Sequence, residues 1–130
     1  MKKNIVLLAG VLMMVVLNAR ANDDWRKLSE DPEYLHRSIK QVTDVIVHDI
    51  YSPPVASRIY AYVTIAAYEA ALHADENYIS FAGQLHHLTP LPQPDAGSKY
   101  SYTLAAVDAL LRVARSMIIS EEKITSFQDK

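Results

Sequence analysis

Five histidines are the residues of this sequence best suited to general-base or metal-ligand chemistry: His36, His48, His73, His86 and His87. One lies in a polar series on a predicted helix. At 100° per residue, Arg58, Tyr62, Glu69 and His73 project within about 60° of one another. This stripe could line a site, with Glu69 and His73 as neighbours. It could equally be a buried charge pair with polar groups satisfied by adjacent helices, because buried charges need partners. We favour the structural interpretation.

A second cluster comprises Asp44, His48 and Asp49, near the predicted end of another helix. A histidine oriented by a carboxylate can act as a base. A surface pair at positions i and i+4, with the histidine near the helix C-terminus, is the more common arrangement. The cluster therefore predicts a surface interaction.

Two further groups are weaker candidates. His86 and His87 lie in a predicted loop, where a transition-metal contact is conceivable but solvation is the expected state. Arg112 and Arg115 could hold an oxyanion on the third helix. Asp108 precedes Arg112 by one turn, however, which favours a solvated, ion-paired face.

Composition excludes several classes of site. The chain has no cysteine, which removes disulfides, thiolate catalysis and zinc-thiolate sites. It has only three glycines and no Gly-x-Ser-x-Gly motif, so a serine nucleophile of that type is unsupported. Paired Glu-x-x-His motifs, which a di-metal carboxylate bundle requires, do not occur. We therefore expect no metal site.

Helices must position these residues. Asp31 as N-cap and Pro32 at the first helical position predict a helix that runs to about Tyr51. A second helix is predicted from about Pro53 to His73; it is apolar nearly all round and should be buried on most sides. The apolar face of the first helix consists of Leu35, Ile39, Val42, Ile46 and Ile50.

The remaining chain predicts a linker and two more helices. Residues 75–97 should form a loop with a short helical turn around 81–87, and within it 89–95, which holds Pro90, Pro92 and Pro94, should be extended. A third helix is predicted from about Ser98 to Ile119, and a fourth opens at Ser120, a capping residue. The predicted apolar stripe of the third helix consists of Leu104, Val107, Leu111, Ala114 and Ile118. The fold class is all-α, a helical bundle.

The amino terminus has the pattern of a cleavable export signal. Lys2 and Lys3 precede an unbroken apolar run of thirteen residues at 5–17, and Ala19-Arg20-Ala21 predicts cleavage before Asn22. Thirteen helical residues rise only about 20 Å, so a stable membrane anchor is not expected. The pattern predicts an exported protein, periplasmic or secreted, with 1–21 as signal peptide and 22–130 as one helical segment.

The predicted mature chain is acidic. Ten basic and fifteen acidic residues remain after cleavage, which gives a net charge of −5. Nucleic-acid binding needs clustered Lys and Arg, and the basic residues here are scattered singly or in pairs. We therefore expect no nucleic-acid partner.

Several segments together resemble a known family. They are TDVIVHDIYSPPVASRIYAY at 43–62, AAYEA at 66–70, GQL at 83–85 and LPQP at 91–94. They resemble the amino-terminal helical region of exported bacterial members of the vanadium-dependent haloperoxidase and type 2 phosphatidic acid phosphatase (PAP2) superfamily. The resemblance spans roughly residues 38 to 127.

The resemblance implies an all-helical fold that binds vanadate or phosphate through a Lys, two Arg and a His, with a second His as acid or nucleophile. The motifs that carry them are of the types Lys-x6-Arg-Pro, Pro-Ser-Gly-His and Ser-Arg-x5-His-x3-Asp, and none occurs here. Ser57 precedes Arg58, but position 64 is Thr64 and not His. No catalytic, cofactor-binding or metal residue is therefore assigned, and vanadate is expected only in a full-length parent.

Two functions remain open. In the first, the chain is the helical front part of an exported enzyme of this superfamily, truncated at its C-terminus. The missing half of its own domain would be its partner. The parent would hydrolyse phosphomonoesters or oxidise halide with peroxide, and the chain alone would be inactive. In the second, it is a small exported helical binding or structural protein of the cell envelope. Substrate and oligomeric state are not predicted.

Overall fold

The computed structural model describes residues 29–129, so the predicted export signal and its cleavage site lie outside the described residues. The chain divides into two units, Met1–Asp31 and Pro32–Lys130, and all the helices below belong to the second. None of the helices within the described range combines the length and the apolar character needed to cross a bilayer.

Four α-helices make up the second unit: α1 (Glu33–His48), α2 (Pro53–Ala71), α3 (Tyr102–Met117) and α4 (Glu121–Gln128). One 3-10 turn, Leu72–Ala74, continues α2. Within residues 29–129 the only β-type pairing is an isolated bridge between Ala82 and Leu85. The all-α prediction is confirmed.

Helix α1 is shorter than the sequence predicted. Pro32, not Asp31, occupies the N-cap position, and it accepts hydrogen bonds from the N–H groups of Leu35 and His36 through its carbonyl. The helix ends at His48 because Ile50 adopts the left-handed conformation, with φ of 56°.

The end of α1 is a Schellman turn. The N–H of Tyr51 donates to the carbonyl of Ile46 and that of Ile50 donates to Val47, each at 3.2 Å. The turn moves Ile50 off the apolar face of α1, so its side chain is 89% exposed. The prediction that Ile50 continues the apolar face of the first helix was therefore wrong.

Helix α2 begins as predicted, with Pro53 and Pro54 in its first turn after the extended Ser52, although the Ser52 side chain makes no capping hydrogen bond. Its buried apolar residues are Ile59, Val63 and Ala67. The opposite side is less covered: Tyr62 is 53% exposed. We predicted that α2 would be buried on most sides, but the described residues fully bury only the side that carries Ile59, Val63 and Ala67.

Helix α3 begins at Tyr102, later than predicted, because the Ser101 hydroxyl accepts a hydrogen bond from the N–H of Leu104 and so caps the helix there. The predicted stripe is rotated: Leu104 lies at its exposed edge, and Ala106 joins Leu110 in the core. Helix α4 begins directly after Ser120 as predicted, and its Ile124 is fully buried.

One apolar core joins the four helices. Its largest interface is between α2 and α3. Two side-chain hydrogen bonds join other helices, one from the Tyr60 hydroxyl of α2 to Thr43 Oγ1 of α1 at 2.8 Å and one from Gln41 Nε2 of α1 to the Lys123 carbonyl of α4 at 3.3 Å. The buried apolar residues are Val42, Val45, Ile46, Ile59, Val63, Ala67, Ala106, Leu110, Leu111, Ala114 and Ile124.

The link between α2 and α3 contains no α-helix from Asp75 to Ser101, as expected of a loop. The predicted helical turn around 81–87 is present only as a single turn, in which the N–H of Leu85 donates to the carbonyl of Phe81 at 3.0 Å. Gly83 within this turn and His87 after it both have positive φ angles. Residues 86–101 then lead to α3.

Candidate functional site

A concave apolar surface lies between α2, α3 and the proline-rich link. We call this surface the α2–α3 groove; it encloses an open volume of about 680 Å³. Small side chains form part of it on both helices, including Ala66 and Ala70 on α2 and Ala105 and Ala109 on α3. Its other lining residues are Tyr62, Ile65, Glu69, His73, Leu88, Leu91, Pro92, Gln93, Pro94, Tyr100, Tyr102 and Val113.

The structure brings three members of the predicted polar stripe into this groove. Tyr62, Glu69 and His73 all line it, whereas Arg58 is exposed and lies outside it. The arrangement therefore has a buried carboxylate and an imidazole in an apolar wall. None of the described residues that line it is a Lys or an Arg.

Glu69 is the buried charged residue of the groove, with 4% of its surface exposed. Its Oε2 accepts a hydrogen bond from the Ser80 hydroxyl and its Oε1 from the N–H of Phe81, each at 2.7 Å. Ser80 Oγ in turn accepts from the N–H of Ala82 at 2.9 Å. Glu69 is thus satisfied by neutral donors of the link, not by His73 or by a neighbouring helix as we predicted.

The residue before Glu69 holds the same part of the link. The Tyr68 hydroxyl donates to the carbonyl of Ile79 at 2.9 Å. Its ring packs against Phe81 and Tyr78, with centroid distances of 4.9 and 6.3 Å. Sequence reasoning missed this contact set, since nothing in the spacing of a tyrosine on a helix indicates which loop it will meet.

The predicted cluster of Asp44, His48 and Asp49 is divided in the structure. Asp44 pairs with Lys40 at 2.7 Å on the exposed face of α1, and His48 is exposed. The surface interpretation is therefore right, but the partner of Asp44 is Lys40 and not His48.

Asp49 connects the end of α1 to the start of α4. Its Oδ1 accepts from the Ser120 hydroxyl at 2.6 Å, and its Oδ2 accepts from the N–H groups of Ser120 at 3.0 Å and Ile119 at 3.1 Å. The Ser120 hydroxyl, together with those N–H groups, holds the pKa of Asp49 below its usual value despite partial burial. Ser120 was predicted to cap α4 with its own side chain; that side chain donates to Asp49 instead.

The remaining candidates are on the surface. His86 and His87 are exposed, with their ring centroids 3.8 Å apart. Asp108 and Arg112 form an exposed pair at 2.7 Å, which confirms the solvated face predicted there. Across residues 29–129 no three His, Cys, Asp or Glu side chains gather as a metal site would require.

The fold is similar to that of a solved enzyme. A crystal structure described as that of the first bacterial vanadium-dependent iodoperoxidase matches 75% of this chain at 48% sequence identity, with a TM-score of 0.71. The matched part is 24% of that protein's chain. No protein-family model matches the sequence, and no curated protein does.

The match confirms a relation to the vanadium-dependent haloperoxidase superfamily. The phosphatase and export parts of the resemblance stay predictions. It spans about a quarter of the length of the iodoperoxidase that it matches.

The Asp49 contacts predict a pH-dependent stability. Asp49→Asn should lower the free energy of unfolding by about 1–2 kcal/mol at neutral pH, because it removes the charge from three hydrogen bonds. A depressed carboxyl pKa stabilises the fold above the unfolded value, 3.8, and that contribution is lost as the pH falls through the folded pKa. The difference between wild type and variant should therefore narrow below about pH 4. Urea unfolding at several pH values measures it.

The matched control for that experiment is Asp44→Asn, which alters an exposed pair on the same helix. We expect a loss of no more than about 0.5 kcal/mol from it. Equal losses from the two substitutions at neutral pH would contradict the role given to Asp49.

Glu69→Gln should loosen the link while keeping the shape of the side chain. A glutamine offers one acceptor oxygen where two donors converge, so one bond is weakened and stability should fall by about 1–2 kcal/mol. Cleavage within residues 75–97 during limited proteolysis should become faster. Glu76→Gln, on an exposed residue of the same link, is the control, and equal rates for both variants would refute the prediction.

Proposed function

We propose that this chain is the helical front part of an exported enzyme of the vanadium haloperoxidase type, or of the related acid phosphatase type. The full-length parent would oxidise halide with peroxide or hydrolyse phosphomonoesters. One observation carries the proposal: 48% identity extends over 75% of this chain but over only 24% of the iodoperoxidase. The greater part of such an enzyme would then be supplied by sequence other than residues 1–130.

The α2–α3 groove lacks the features of a cradle for vanadate. An oxyanion requires converging positive charge and N–H donors. The α2–α3 groove presents the buried carboxylate of Glu69 and no guanidinium, Arg112 is engaged by Asp108, and Arg58 points elsewhere. Vanadate does not fit this surface, so we propose that the chain alone neither binds it nor turns over substrate.

Titration calorimetry with orthovanadate tests that proposal. The full 130-residue chain should give no heat of specific binding, whereas the bacterial iodoperoxidase, used in parallel, serves as the positive control. Stoichiometric binding by this chain would overturn the proposal of an inactive segment. The coding sequence beyond Lys130 gives an independent test, because a Pro-Ser-Gly-His-type motif there would support a longer parent.

Export is the second part of the proposal. Expressed in a bacterium with its own amino terminus, the chain should be recovered outside the cytoplasm with Asn22 as its first residue. Ala21→Phe should block cleavage, because signal peptidase requires a small residue at that position. Asn18→Gln, outside the small-residue pattern, should be processed normally. An uncleaved wild-type chain in the cytoplasm would contradict export.

A small exported helical protein of the cell envelope is the alternative, and one observation favours it. Eleven buried apolar residues from all four helices already share a core among the described residues. If the chain is a complete small protein of this kind, it should show a sharp cooperative melt and little binding of a hydrophobic dye. If the chain is instead the front part of a longer enzyme, we expect a broad melting transition and strong dye binding, because apolar surface stays open along α2.

A further inference from the structure

Helix α4 is the most weakly held helix of the described chain. It has eight residues, and a helix of that length is not stable by itself in water. It packs on α1 and α3, whereas the interface between α2 and α3 forms without it. Its one fully buried side chain is Ile124, and Phe127 is half-buried against the same core.

The start of α4 depends on a residue from a distant part of the chain. Ser120 occupies the N-cap position, but its side chain makes no capping hydrogen bond to the first turn of α4. It donates instead to Asp49 Oδ1 at 2.6 Å, while Asp49 Oδ2 accepts from the N–H groups of Ser120 and Ile119 at 3.0 and 3.1 Å. One carboxylate of α1's C-terminal turn thus fixes the backbone that leads into α4.

The segment between α3 and α4 has little else to hold it. Ile118 and Ser120 are not helical, and the side chain of Ile119 is 77% exposed. The other hydrogen bond printed between α1 and α4 runs from Gln41 Nε2 to the Lys123 carbonyl and is long, at 3.3 Å. Without Asp49, the two N–H groups of this segment would turn to water, and the segment would be free to act as a hinge.

We infer that α4 is a latch, which leaves α1 and α3 as a unit while the rest of the described fold persists, and that the contact between Asp49 and Ser120 controls this release. Local opening of one element at a lower cost than global unfolding is a general property of folded proteins. Release would uncover the area of α1 and α3 that α4 covers and would leave the interface between α2 and α3 closed. It does not depend on the proposed function, because every group involved lies within residues 41–128.

Acid should favour the released state. The Ser120 hydroxyl, followed by the N–H groups of Ser120 and Ile119, lowers the pKa of Asp49, so the docked helix favours the charged carboxylate. The ordinary value of this carboxyl is 3.8. Its contribution to docking is complete above that value and is lost as the pH falls through the lower pKa of the docked state.

Other charged groups belong to the same end of the helices and must be separated from Asp49. His48 also favours the charged form of Asp49. Because two of the neighbours are carboxyl groups as well, the acid response due to Asp49 is the difference between the wild type and Asp49→Asn. The titratable and charged neighbours along the chain are His48 at the end of α1, Tyr51 and Arg58 at the start of α2, Arg115 in the last turn of α3, and Glu121, Glu122 and Lys123 in the first turn of α4.

Hydrogen exchange of the full 130-residue chain tests the latch. After correction for intrinsic rates, amides of α4 should exchange at least about tenfold faster at neutral pH than those around Val63 in α2. Low urea concentrations should accelerate exchange in α2 much more than in α4, because release of eight residues exposes little surface. Equal protection with equal urea dependence would show that α4 opens only with the whole fold and would overturn the latch.

Substitutions in two places distinguish release from global unfolding. Val63→Ala weakens the core on α2 and should lower protection of the α2 amides by about tenfold or more, yet leave that of α4 unchanged. Asp49→Asn should lower α4 protection by about tenfold, whereas Asp44→Asn, on the exposed face of α1, should change it little. A loss of protection in α4 as large as that in α2 when Val63 is truncated would contradict a separate release.

Ser120 and acid give the final arms of the experiment. Ser120→Ala should act in the same direction as Asp49→Asn, and Ser120→Thr should restore protection because it keeps a hydroxyl donor. Below about pH 4 the difference in α4 protection between the wild type and Asp49→Asn should narrow. A difference that persists in acid, or a Ser120→Ala variant with wild-type protection, would refute control of the latch by this contact.

Discussion

Helix α2 carries apolar side chains around most of its circumference, and burying such a helix requires neighbours on several sides. Helices α1 and α3 cover one side, where Ile59 and Val63 reach 1% exposure. The other elements are arranged around this requirement: α4 closes the core through Ile124, and the link from α2 to α3 lies along the open side. The side of α2 that these elements do not bury forms one wall of the α2–α3 groove.

Two carboxylates fix the segments that the apolar core cannot fix. Non-helical links expose N–H groups that need acceptors. Asp49 supplies them to Ile119 and Ser120, and Glu69 supplies one to Phe81. Asp49 thus holds a link about 70 residues further along the chain, and Glu69 holds the link that follows its own helix. Neither carboxylate has a cation among the hydrogen-bond partners described here. Their function is to set the position of backbone segments around the core.

Apolar residues at helical spacing predicted α1 and α3, an apolar run predicted α2, and the capping residue Ser120 predicted α4. The ends were predicted less well. Ile50 continued the apolar pattern of α1, yet a Schellman turn ended the helix first, and no periodic signal marks such a turn when glycine is absent. Ser101 capped α3 where Ser98 had been expected to begin it.

Candidate chemistry was harder to predict than the helices. Tyr62, Glu69 and His73 of the predicted stripe line one groove, although His73 belongs to the 3-10 turn after α2 and Arg58 lies outside the groove. Its partners could not be predicted, because they belong to a loop whose path depends on tertiary contacts. Asp49 was grouped with Asp44 by sequence proximity, whereas its actual partner is 71 residues away. Long-range hydrogen bonds of this kind leave no local pattern, so they were visible only in the folded chain.

The turn at Ile50 has a consequence for how this protein tolerates variation. A β-branched side chain in the left-handed region opposes the backbone by roughly 1–2 kcal/mol, and at 89% exposure this one gains almost nothing from packing. The conformation is imposed by the hydrogen bonds around it: the N–H groups of Ile50 and Tyr51 donate to the carbonyls of Val47 and Ile46, and the side chain of the preceding Asp49 is held by Ser120. Position 50 is therefore mutationally permissive: its backbone is decided by its neighbours, and its side chain is free to be exchanged.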